Sequence, residues 1–159
     1  MPKYRLLTHE ELIEFENEFV EFLIVNGITA PDWVKMKETQ PKEAVKIIGS
    51  FSDVIFEGTM RKIEFLEVRT SKEVRCFHCL KDKMILVGMR VPKESDMDFT
   101  NIEMVQMAMT TPPKNIEFFT AEKDYENIRE TELFEMTQVG CSIADGRLYK
   151  SLATALAES

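Results

Sequence analysis

With 159 residues, 44% of them hydrophobic and 30% charged, the chain is long enough to bury a core without disulfide or metal staples, and too apolar for extended disorder. Its formal net charge of -8 argues against nucleic acid and anionic membrane surfaces as partners, since no block of Lys and Arg offsets it, and favours basic or apolar protein surfaces. Three cysteines, an odd number, fit a reducing cytoplasm better than a disulfide framework.

The amino terminus runs straight into a helix start, with no apolar signal-peptide segment. The apolar run Phe22-Leu23-Ile24-Val25 is far too short to span a bilayer, so a cytoplasmic protein is expected. Thr8 and Glu11 have capping-box spacing, flanked by Leu7 and Leu12 as a hydrophobic staple. Leu12, Phe15, Phe19, Phe22 and Leu23 form one stripe at helical spacing, and Asn26-Gly27 ends the helix, with Gly27 suited to a left-handed cap. Thr29 caps a short second helix carrying Trp33 and Met36, with Asp32 three residues on and Pro31 in the first turn. A third helix is expected from Pro41 to about Glu57, stopped by Gly58, with Ala44, Ile48, Phe51 and Ile55 inward. Gly49 within it costs helix stability, which implies a close neighbour.

The chain is organised around residues 60–91, expected to form a three-stranded antiparallel meander. Short apolar runs at 62–69, 74–80 and 84–91 are separated by the polar breaks Thr70-Ser71-Lys72-Glu73 and Lys81-Asp82-Lys83. The third run is apolar on both faces, so a further strand is expected beside it, supplied by about 115–120. A Met-rich helix carrying Met104, Met107 and Met109 precedes that strand and ends at Thr110-Thr111-Pro112-Pro113. Residues 122–139 fit helix and strand patterns alike, and the helical reading is taken. After a break at 140–145, Asp145 caps a last helix with Leu148, Leu152, Ala155 and Leu156 inward. The expected architecture is a single α+β domain over 1–159, with helices packed on the sheet.

Cys76-Phe77-His78-Cys79 is the one stretch with metal-ligand chemistry. A zinc site there would need a fourth ligand from Cys141, His9 or a second subunit, and a regular strand would turn Cys76 and Cys79 to opposite faces. Buried structural cysteine is the simpler reading, so no residue is assigned to a metal, a cofactor or catalysis. His9 reads as an exposed helix residue, and Glu10, Glu14, Glu18 and Glu21 as a solvated face. Glycine-rich phosphate loops are absent, and Asp145-Gly146-Arg147 reads as a cap rather than a phosphate cradle. Met97, Met104, Met107 and Met109 fit core filling better than a binding groove.

Tyr4-Arg5-Leu6-Leu7-Thr8, Phe51-Ser52-Asp53 and Ile63-Glu64-Phe65-Leu66-Glu67 together resemble a family of small uncharacterised bacterial proteins, a domain of unknown function. The resemblance implies a bacterial cytoplasmic protein and brings no activity, cofactor or functional residue. The leading functional expectation is a non-enzymatic interaction module with a protein partner, acting as a homodimer. The alternatives are a small metal or redox protein using Cys76, His78 and Cys79, and an enzyme whose site is assembled from scattered acidic and basic residues.

Overall fold

The structure is a computed structural model in which residues 2–158 are described. It forms two compact units, Met1–Arg61 and Lys62–Ser159.

The first unit holds α1 (His9–Glu14), α2 (Glu16–Val25), α3 (Ala30–Thr39) and most of α4 (Pro41–Lys62). The expected Thr8–Glu11 capping box forms, and the expected Thr29 cap is a capping box as well. Thr8 Oγ1 accepts from the Glu11 amide while Glu11 Oε1 accepts from the Thr8 amide, and Thr29 and Asp32 repeat the arrangement. Gly27 takes φ +73, and the Ile28 and Gly27 amides donate to Leu23 and Ile24, which is the left-handed cap its position implied. The first helix, expected to be continuous, is broken at Phe15, which leaves helical geometry at φ -100, ψ 24. Phe19 and Phe22 bring their rings to 5.0 and 5.4 Å from that of Phe51, and Trp33 meets Phe19 edge-on at 5.2 Å. The segment before α1 runs along α4. Asp53 accepts from the Lys3 and Tyr4 amides, and buried Ser52 accepts from the Leu7 amide while donating to Ile48 O, so no buried hydroxyl is left open there. Gly58 does not stop α4. Past it the helix gains a Glu57–Arg61 pair at 3.4 Å and a Thr59 hydroxyl bond to Ile55 O, and buries Met60.

The second unit is an α+β fold on a five-stranded antiparallel sheet. Its elements are β1 (Phe65–Arg69), β2 (Glu73–Cys79), β3 (Lys83–Arg90), α5 (Ile102–Thr110), β4 (Glu117–Asp124), α6 (Arg129–Gln138), β5 (Ser142–Ala144) and α7 (Arg147–Glu158), with strand order β4-β3-β2-β1-β5. The meander forms as expected, with Val74 opposite Met89 and Leu66 opposite Phe77. The fourth strand lies antiparallel to β3 and runs on to Asp124, so the first residues of the ambiguous 122–139 stretch are strand and its later ones helix. β5 was not expected. It is three residues long, its one large apolar side chain, Ile143, is exposed, and backbone pairing with β1 defines it.

One face of the sheet carries the core. Val74, Cys76, Val87 and Met89 pack with Phe99, with Val105 and Ala108 of α5 and with Leu152 of α7. Asp145 Oδ1 accepts from the Arg147 amide at the start of α7, as a cap should. On the other face, α6 buries Leu133 and Phe134. The Arg129 guanidinium at its start donates to the carbonyls of Ile63, Cys79 and Leu80, tying the helix to the ends of β1 and β2.

Candidate functional site

The alternating geometry of β2 decides what its cysteine motif can do. Cys76 and His78 point to the α5–α7 face and Cys79 to the α6 face, so the two thiols cannot close on one ion. Burial pushes the Cys76 thiol up to about 12, with the nearby Glu67 carboxylate adding to the effect, and burial pushes Cys79 up to about 11. Both therefore carry their protons at neutral pH and are poor nucleophiles and poor ligands. His78 is stacked on Phe65 at 4.5 Å and meets Tyr149 edge-on at 5.3 Å, an aromatic packing role. His9 is exposed on α1, Cys141 is half-buried just before β5, and among the described residues no group of three His, Cys, Asp or Glu side chains is arranged to hold a metal ion.

The Met-rich helix is mainly packed. Met97 and Met109 lie against the core, Met104 Sδ accepts from the Asp98 amide, and Met107 alone of these four is exposed.

Among the described residues of this unit, α5 and α7 line a concavity of about 500 Å³ between Gln106, Met109, Ser151 and Thr154, and two others draw their walls from the sheet. The first of these two is a polar recess of about 250 Å³ lined by Glu67, Val68, Arg69, Thr100, Gly140 and Ser142. Burial raises the Glu67 carboxyl above the usual carboxylate range, Asp145 adds to that, and Arg69 opposes it. Arg69 is itself committed, donating to Phe99 O at 2.8 Å. Glu67 and Arg69 share the inward parity of Phe65, and polar side chains at those positions were the available sequence signal.

The second is an apolar groove of about 320 Å³ on the α6 face. Phe77 of β2, Met84 and Leu86 of β3, Ala121 of β4 and Met136 of α6 line it, with Glu122 and Lys123 at the rim. Lys123 Nζ holds the buried Glu132 carboxylate at 3.1 Å, so the charge that interrupts the apolar face of α6 is paired at the groove's edge. Beyond the groove, Phe119 lies across Gly88, where a Cβ would come within 2.4 Å of its ring, and the Arg90 guanidinium covers that ring at 4.3 Å. No single stretch of sequence holds this site, since four elements contribute to it.

A helix-covered antiparallel sheet with an apolar groove, and with its two strand cysteines buried, defines a small α+β protein. The chain belongs to the family of unknown function DUF6495, whose model matches residues 1–157, in line with the resemblance noted above. No curated protein and no solved structure matches it.

Proposed function

We propose that this protein is a non-enzymatic interaction module that receives an apolar side chain of a partner protein in the groove lined by Phe77, Leu86, Ala121 and Met136. The observation that carries this reading is the lining itself. Its walls are almost wholly apolar, and its charges lie at the rim, which is how a hot-spot pocket is built. The net charge of -8, with Glu117, Glu122 and Asp124 along β4, favours a partner segment whose apolar anchor is flanked by Lys or Arg. Three free cysteines, two of them buried with raised pKa, support residence in the reducing cytoplasm.

Peptides carrying one Leu or Trp anchor flanked either by Lys/Arg or by Glu give a direct test by NMR titration. The expected result is shifts confined to the groove residues, with basic flanks tightening binding about tenfold or more, equivalent to ~1.4 kcal/mol. Phe77→Lys should abolish these shifts. Absence of binding at millimolar peptide, or shifts centred on the Glu67 recess instead, would overturn the reading.

A further inference from the structure

We propose that two copies of this chain pair through β4, antiparallel, about a two-fold axis passing through Thr120. β4 is an eight-residue strand at the sheet edge, mostly exposed and bonded on one side to β3. Among the described residues its outer backbone groups have no hydrogen-bond partner. Edge strands are commonly blunted by proline, bulges or brevity. This one has no proline or glycine and runs in unbroken register from Lys83–Asp124 to Arg90–Glu117, whereas the opposite edge, β5, is only three residues long.

The occupant follows from symmetry and charge. In an antiparallel pair, directly opposed residues share a sheet face, so a two-fold must pass through a residue rather than between two. An axis at Thr120 sets Glu117 opposite Lys123 of the second copy, twice, with Phe119 opposite Ala121 and Phe118 opposite Glu122. Axes at Phe119 or Ala121 bring no opposite charges within the strand into register: the first leaves Glu117 against Ala121, the second Phe118 against Asp124. Cross-strand pairs of opposite charge support a register. Glu117 and Lys123 already touch Arg90 and Glu132, at 3.8 and 3.1 Å, yet their side chains remain 64% and 53% exposed and able to reach a second partner. Phe119, Ala121 and Lys123 lie on the groove's face of the sheet, so pairing lays the two apolar grooves side by side on one surface. Pairing uses the backbone edge of β4 and the groove its side-chain face, with Ala121 and Lys123 shared between them.

Sedimentation velocity on the full chain from micromolar to millimolar concentration should show a reversible dimer. Glu117→Lys, which opposes Lys123 at both ends of the axis, should raise its dissociation constant about tenfold or more. The register is read by cysteine cross-linking in a Cys141→Ser background. Thr120→Cys should form a disulfide-linked dimer under mild oxidation, because opposed Cα atoms lie about 4.5–5.5 Å apart. Ala121→Cys should not, being diagonal to itself at roughly 7–8 Å. A monomer at every concentration, a dimer indifferent to Glu117→Lys, or equal cross-linking at 121 would each overturn the proposal. The first two outcomes are read without any cysteine variant, so a misfolded Thr120→Cys chain does not protect it.

Discussion

Two buried glycines show how differently one residue type is used. Gly49 lies in α4 with Leu6 and Pro2 at 3.7–3.9 Å from where a Cβ would stand, which is ordinary contact. The close neighbour inferred from sequence is there, but it does not demand glycine. Gly49→Ala should therefore stabilise the protein by roughly 0.5–1 kcal/mol, the helix-propensity difference. Gly88 is the opposite case, since an added Cβ would fall 2.6 Å from Val74 O as well as into the Phe119 ring, and backbone cannot step aside. Gly88→Ala should destabilise by roughly 1–3 kcal/mol through overpacking. Urea unfolding of the two variants beside wild type checks both signs, and a stabilised Gly88→Ala would contradict the packing described.

At the level of elements, α6 depends on Arg129. One guanidinium satisfies carbonyls at the ends of β1 and β2, at 3.0 Å for Cys79 and 3.1 Å for Leu80, and Tyr125 donates to the same Leu80 oxygen at 2.8 Å. Arg129→Ala removes several charge-assisted bonds at once and should cost roughly 2–4 kcal/mol, while Arg129→Lys recovers only part, because an ammonium lacks the planar fork. Thermal melts of the two variants separate lost charge from lost geometry. The helical reading holds for α6, but its sequence pattern fits strand as well: Glu132 breaks its apolar face, and the partner that makes the charge tolerable, Lys123, comes from β4. Where the signal is local, as in the helix caps at Thr8 and Thr29, the Gly27 cap and the hairpin turns of the meander, it was legible. It failed where tertiary contacts decide, at β5, at the continuation of α4 past Gly58, and at the groove, whose lining is gathered from four elements.

For the molecule as a whole, acid should weaken the fold. Hydrogen bonds from Arg5 and the Thr8 amide hold the Glu11 carboxyl down to about 2, and those from Tyr4 and Lys3 hold Glu57 below the usual range. For such groups the unfolded chain binds more protons, so their contribution is complete above about pH 4.5 and is lost as pH falls through the folded values, toward 2 for Glu11. Glu67 works in the other direction, its raised pKa meaning that protonation relieves a cost of burial. Melting temperature should fall between pH 5 and 2.5, less steeply in Glu11→Gln and more steeply in Glu67→Gln, and a profile rising toward pH 2.5 would contradict this balance. The strand order has a consequence of another kind, in time. β1, β2 and β3 are neighbours in sequence and can zip through short turns, whereas β5 reaches β1 only after α5, β4 and α6 have been threaded between them. The meander is then the early event of folding, and the three-residue β5 is the last strand to arrive and the first to let its amides exchange with solvent.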